Sequence, residues 1–266
     1  MSTSKPPRTD ICPIEPKIDE STLTKARHDR LLTDGDAKLL AGPRARLKDL
    51  ATLARVGCDF AKGFRGLNVV GPCVTVFGSA RLLSNDPYYE LARGVGSMIA
   101  KLGFTVMTGG GPGIMEAANR GATEAGGHSI GCNIKLPFEQ KPNVYLDRQV
   151  TLDYFFVRKV LLVKYSYAFI VMPGGAGTMD EFFEALTLIQ TGKLSNFPII
   201  VMGTEFWKPM RELVNSMLKA GTISESDLEL VTVTDSIDEA KEQLRECAIR
   251  QYGLQRKSEH LGKPKW

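Results

Sequence analysis

Pro173-Gly174-Gly175-Ala176-Gly177-Thr178-Met179-Asp180-Glu181 follows the apolar run Ala168-Phe169-Ile170-Val171-Met172 and opens an amphipathic stretch. That order reads strand, glycine loop, helix. Backbone N–H groups of such a loop close around an anion, and the helix N-terminus adds partial positive charge. Thr178 adds a hydroxyl to the same anion, and Glu181 is expected to project a carboxylate from the first helical turn. A phosphate cradle with a carboxylate one turn away suggests chemistry on a phosphorylated sugar.

The pattern around this loop repeats. Val74–Phe77, Phe104–Thr108, His128–Ile134, Pro198–Met202 and Leu230–Val233 read as further strands. Helical stretches run from about Pro87 to Leu102, from Ile114 to about Gly126, through Asp153–Tyr165, and around 206–219 and 237–250. Met179, Phe182, Phe183, Leu186 and Ile189 give the helix after the signature loop a clear apolar stripe. Alternating β and α segments with continuous apolar strands predict an α/β fold, a Rossmann-like three-layer sandwich around a buried parallel sheet.

Residues 1–70 read differently, as an N-terminal helical extension. Ser21–Leu40 is charged and helix-compatible. Pro43–Phe64 places Leu47, Leu50, Leu53, Ala54 and Gly57 at helical spacing, with basic residues on the other faces. That suits a helical cap on the core or an oligomer contact. Residues 71–254 form the expected nucleotide-binding catalytic domain, and 255–266 a polar tail.

Ligands of open parallel sheets bind beyond the carboxyl ends of the strands, near the point where strand order reverses. Three glycine-bearing turns sit at such ends: Gly78-Ser79, Gly109-Gly110-Gly111-Pro112-Gly113, and Gly174–Gly177. Ser79 and Gly110 are therefore candidate ligand contacts, with Glu116 and Asn119 just beyond. Neither a Walker A motif nor a dinucleotide fingerprint occurs, since Asp180 stands where the third glycine would be. His28, His128 and His260 are isolated, so no metal site and no cofactor are expected.

A net charge of +4 without a polybasic run argues against a nucleic-acid partner. No apolar run approaches transmembrane length, and the first residues lack the apolar core of a signal peptide. The five cysteines, Cys12, Cys58, Cys73, Cys132 and Cys247, follow no ligand or pairing pattern. Together these predict a cytoplasmic protein with no membrane partner.

With its motifs quoted, the chain resembles the LOG family, the cytokinin-activating nucleoside 5′-monophosphate phosphoribohydrolases. The family pattern PGGxGTxxE is matched throughout by Pro173–Glu181. Gly109–Asn119 looks like the longer bacterial members, and Arg158-Lys159 stands fifteen residues before Pro173, as the family pair does. The resemblance implies hydrolysis of the N-glycosidic bond of a nucleotide to free base and ribose 5-phosphate. It implies that Gly174, Gly175, Ala176, Gly177 and Thr178 hold the 5′-phosphate and that Glu181 faces the ribose. Arg158 is then directed at the base or scissile bond, Lys159 lines the pocket, and Glu139 and Thr187 contact substrate. It also implies a homodimer or higher homo-oligomer. Thr187 lies six residues after Glu181, about 240° around an ideal helix, so one helix face cannot carry both.

The chemistry of that reaction asks for these residue types independently. Cleavage builds positive charge on the sugar and negative charge on the departing base, so a carboxylate suits the first and a cation the second. Arg holds its proton too firmly for a general acid, so Arg158 is expected to stabilise charge. The label "possible lysine decarboxylase" sometimes attached to such sequences would need pyridoxal phosphate on a lysine, and Lys159 and Lys164 lie in no such context. The expected substrates are purine nucleoside 5′-monophosphates, AMP and N6-prenylated adenine nucleotides among them. A reading from another class is a non-catalytic carrier or sensor of a nucleotide or molybdopterin, using the same cradle.

Overall fold

Seven parallel strands carry the molecule, in the spatial order β4-β3-β2-β1-β5-β6-β7. They are β1 (Cys73–Phe77), β2 (Thr105–Thr108), β3 (Ser129–Ile134), β4 (Arg148–Leu152), β5 (Ser166–Val171), β6 (Ile199–Val201) and β7 (Val231–Val233). The helices are α1 (Gly35–Leu39), α2 (Arg46–Leu67), α3 (Pro87–Lys101), α4 (Ile114–Glu124), α5 (Phe155–Tyr165), α6 (Ala176–Gln190), α7 (Lys208–Lys219), α8 (Glu225–Leu228) and α9 (Ile237–Gln243). This computed structural model describes residues 35–40, 46–136, 141–195 and 197–246. Glu139, the polar tail and most of Ser21–Leu40 lie outside the described residues.

The chain divides into two compact units, Met1–Gly42 and Pro43–Trp266. In the first, the described residues form the short helix α1. Helix α2 belongs to the second unit, with the sheet, although the expected domain boundary at residue 70 falls after it.

The central strands present alternate side chains to two apolar layers. Cys73, Phe77, Phe169 and Val171 face a core that includes Leu67, Val157, Leu161 and Phe182 from α2, α5 and α6. Val74, Val76, Ala168 and Ile170 face the other, with Val95 and Ile99 of α3, Ala117 and Ala118 of α4, and Ala240 of α9. Phe169 anchors the first layer, edge-on to Phe77 at 4.8 Å and to Phe197 at 4.7 Å between ring centres. This is the three-layer Rossmann-like sandwich that the alternation predicts.

Strand β4 has no counterpart in the predicted elements. Its sequence, Arg148-Gln149-Val150-Thr151-Leu152, is half polar because it lies at the sheet edge, where Val150 and Leu152 are buried and the others are not.

Helix α2 divides its apolar residues between two faces. Leu50 and Leu53 of the predicted stripe are 61 % and 67 % exposed. The face turned to the core lies further along and carries Val56, Asp59, Phe60, Gly63 and Leu67. A side chain at Gly63 would run into Leu161 of α5, and one at Gly66 into Val150 of β4, so α2 docks closely on both.

Candidate functional site

The strand order reverses between β1 and β5. From β1 the chain steps outward through β2, β3 and β4, then returns to the other side of β1 as β5. The loops after β1, β2 and β5 therefore meet at one edge, and Ser79 joins them. Its N–H donates to Pro173 O at 2.9 Å, and its carbonyl accepts from Ile114 N at 2.9 Å. The loops approach so closely that a side chain at Gly78 would strike Ile114. At Gly113, with φ +70°, a side chain would strike the Ser79 carbonyl and Ala80.

The signature loop forms the open side of this junction. Gly175 is the N-cap of α6, with extended backbone and no side-chain cap, and its carbonyl accepts from Thr178 N at 3.0 Å and Met179 N at 3.1 Å. Thr178 is 7 % exposed and lies against Gly174, where an added side chain would meet its hydroxyl. Gly175, Ala176 and Gly177 are exposed. An added Cβ at Gly175 or Gly177 would meet nothing within 4 Å, and neither has positive φ. The fold itself gives no reason for glycine at Gly177, where glycine in a helix turn costs about 1 kcal/mol relative to alanine. A bare backbone at an uncapped helix N-terminus is what close approach of an anion requires.

Glu181 is the sixth residue of α6, past the first turn, so it is no partner of the helix dipole. It is 6 % exposed. Burial pushes its carboxyl up to about 7, and the positive charges of Arg158 and Lys159 act against that rise. Arg158, on the neighbouring α5, points to the same place. Its Nε donates to the Cys132 carbonyl at 3.1 Å. Its guanidinium covers Gly109, where a Cβ would stand 2.8 Å from Nη2 and 2.8 Å from Met115 Sδ. The Cys132 thiol, held up chiefly by burial, feels both Arg158 and Glu181. The two side chains are thus near enough for their charges to interact, without forming an ion pair with each other among the described contacts.

Lys159 follows Arg158 about 100° further around α5. Its ammonium pairs with Asp180 at 2.8 Å and Glu184 at 2.7 Å, one turn apart on α6. It reaches Glu181 only through its charge. Thr187 is exposed and donates to the Phe183 carbonyl at 2.7 Å, away from Glu181, as the helical spacing requires. Lys159 and Thr187 share a shallow groove of about 760 Å³ with Phe156, Met179 and Leu188. A deeper apolar cleft of about 650 Å³ between α6, α7 and β7 contains neither Arg158, Glu181 nor the signature glycines.

Gly110 is not free to bind a ligand through its backbone. Its N–H donates to Thr108 Oγ1 at 2.9 Å, and its carbonyl accepts from Asn143 N at 3.0 Å. The Thr108 hydroxyl donates to Asn119 Oδ1, which also accepts from Asn143 Nδ2. Asn119 is fully buried in this network, so it braces the loop from beneath. The Ser79 hydroxyl accepts from Arg81 N at 3.1 Å. Glu116 accepts from the Tyr89 hydroxyl at 3.2 Å. Asn133 and Asn143 were not singled out by the sequence, since single asparagines carry no pattern. The carbonyl oxygen of Asn133 is buried beside Gly110 with no hydrogen-bond partner among the described residues.

A family model described as "Possible lysine decarboxylase" matches residues 115–244. The cytokinin riboside 5′-monophosphate phosphoribohydrolase of Mycobacterium tuberculosis is 34% identical over 161 residues, 60% of this chain and 84% of that protein. The chain belongs to the LOG family. The enzyme of the same description from Rhodococcoides fascians is 31% identical over 173 residues, covering 63% of this chain and 86% of its own length. An X-ray structure determined as a structural-genomics target superposes with a TM-score of 0.50 at 24% identity, over 66% of this chain and 99% of that one. That likeness supports the Rossmann-like sandwich. The family match begins at Met115 and the relatives span 60–63% of the chain, so a large share of this LOG-family member lies beyond them.

Proposed function

We propose that this chain hydrolyses the N-glycosidic bond of purine nucleoside 5′-monophosphates, AMP and N6-prenylated adenine nucleotides among them. One observation supports the reading: the buried Glu181 carboxyl lies on the helix whose uncapped, glycine-lined N-terminus is open, and the charge of Arg158 reaches it. The 5′-phosphate sits on the N–H groups of Gly174–Gly177 and the Thr178 hydroxyl. That remote binding fixes the sugar, so the binding energy is used to orient the reacting bond.

The bond from C1′ to the base breaks, and the electron pair leaves with the base. Glu181 in its ionised form faces the positive charge growing at C1′ and orients the attacking water. Arg158 stabilises the negative charge growing on the base. Water supplies oxygen to C1′, and its two protons end on the sugar hydroxyl and on the base. Lys159, through its charge, holds part of the Glu181 population ionised near neutral pH.

A carrier or sensor would use the same cradle, but it would need no buried carboxyl poised near neutrality beside an arginine. Incubation with AMP, followed by chromatography, separates the two. The enzyme gives adenine and ribose 5-phosphate in equal amounts; a carrier returns intact nucleotide. Phe155, Phe156 and Val160, apolar yet exposed on α5, support the homodimer as part of this reading, which light scattering of the full chain tests. Cys58, Cys73 and Cys132 are free thiols among the described residues, and a cytoplasmic location is part of this reading.

A further inference from the structure

We infer that Asp59, on helix α2, is a positioning residue for Arg158. It therefore makes the N-terminal helix part of the reaction machinery rather than a cover on the core. The inference rests on the role given to Arg158 above.

Helix α5 begins without a cap of its own. Its N-cap, Tyr154, makes no side-chain capping hydrogen bond, and its first turn holds no acidic residue. The cap comes instead from 94 positions away in sequence. Asp59 Oδ2 accepts from Asp153 N at 3.0 Å and from Tyr154 N at 3.2 Å. A carboxylate at a helix N-terminus satisfies orphan donors and meets the positive end of the dipole. Asp59 is 4 % exposed, and burial raises its carboxyl against those two backbone bonds. A carboxylate on the buried face of a helix is costly unless it has such partners.

The connection to the site is one helical turn long. The carbonyl of Tyr154, the residue that Asp59 grips, accepts from Arg158 N at 3.1 Å. Arg158 in turn hydrogen-bonds the Cys132 carbonyl and covers Gly109. The register of the first turn of α5 therefore sets where the guanidinium lies. Asp59 shares its helix face with Gly63 and Gly66, at spacings of four and three residues, and these seat α2 against Leu161 and Val150. Arg148 adds a bond from its guanidinium to the Gly66 carbonyl at 3.1 Å. Close docking of α2 is what lets a side chain as short as aspartate reach the start of α5. The short glycine-loop motifs say nothing of this, because the contact comes from the extension.

The experiment compares Asp59→Ala, Asp59→Asn and Asp59→Glu in the full chain. It reads kcat and KM for base release from AMP, inhibition by ribose 5-phosphate, and hydrogen exchange of the 153–158 amides. Asp59→Ala is expected to lower kcat by about 10- to 100-fold, the cost of a misplaced catalytic group. Inhibition by ribose 5-phosphate stays unchanged, because the signature loop is untouched. Exchange at Asp153 and Tyr154 rises about tenfold or more. Asn keeps an acceptor in place and restores kcat to within about threefold, whereas Glu, one methylene longer, pushes the turn and loses kcat. Wild-type kcat in Asp59→Ala, or equal losses in the Ala and Asn variants, overturns the inference. Should the alanine variant not fold, equal kcat in the Asn, Glu and native proteins overturns it. If the native protein releases no base, the functional reading fails on its own. The amide exchange then judges Asp59: unchanged exchange removes it from the α5 cap.

Discussion

Arg158 and Glu181 stand on successive helices and both act on the buried Cys132: Arg158 donates to its carbonyl at 3.1 Å, and the charges of both reach its thiol. Twenty-two residues of chain separate them, including the whole of β5. They meet because α5 leads into β5 and α6 leads away from its carboxyl end, at the reversal of strand order. Burial raises the Glu181 carboxyl to about 7, and Arg158 limits that rise. Near neutral pH one carboxyl can thus hold or release its proton while the guanidinium stays charged, as the proposed reaction asks.

Removing either charge separates binding from bond cleavage. Glu181→Gln and Arg158→Ala each lose base release by about 10²-fold or more, while inhibition by ribose 5-phosphate stays close to native. Arg158→Lys falls between, since it keeps charge but loses the planar fork. Steady-state kinetics with AMP check the loss, and calorimetric titration with ribose 5-phosphate checks the retained binding. Native turnover in Glu181→Gln removes that carboxyl from the mechanism.

The glycines divide into two classes with opposite outcomes. Gly177→Ala is expected to leave the fold intact and raise its stability by up to about 1 kcal/mol, since the new methyl meets open space in a helix. The same change weakens ribose 5-phosphate binding by about tenfold or more through lost close approach to the anion. Gly113→Ala behaves in reverse: positive φ and collision with the Ser79 carbonyl destabilise the protein by about 1–3 kcal/mol. Thermal melts with and without ribose 5-phosphate distinguish the classes.

Activity and stability respond to pH with opposite sign. Base release requires ionised Glu181 and rises with pH through about 7. Stability runs the other way. The folded state holds the Glu181 proton up to about 7 whereas the unfolded carboxyl releases it near 4.5. Between those values the native state binds more protons, so stability falls as pH rises, by up to about 3 kcal/mol for the shift. Glu181→Gln flattens this slope in denaturant titrations at pH 5 and pH 8.

Lys159→Met tests the remote charge. Lys159 lowers the Glu181 carboxyl and neutralises Asp180 and Glu184, which raise it. Its loss moves the ascending limb of the rate profile to higher pH, with little change in the plateau. A limb that stays in place would show that Lys159 does not act on Glu181.

The parallel sheet was legible because buried strands read as continuous apolar runs and each is followed by a helical stripe. Edge strand β4 was not, because half of its residues face away from the core. The signature loop and the Arg158–Glu181 pair were legible as residue types at fixed spacing. Their depth was not: Glu181 reads as a first-turn acid until the helix is seen to begin at Ala176. Gly110 reads as an open amide until Thr108 and Asn143 are seen to occupy its backbone. Lys159 and Thr187 share a motif neighbourhood with the pair but leave on other helix faces, a matter of rotation that Thr187's spacing alone disclosed. Asp59 left no signal, since an aspartate in a charged helix looks solvated until another helix start is found beneath it.

The most direct measurement is product analysis after incubation of the purified full chain with AMP. Adenine and ribose 5-phosphate appearing together, in equal amounts and abolished by Glu181→Gln, is the predicted result. Intact nucleotide after prolonged incubation, or adenine released equally by the Gln variant, would contradict it.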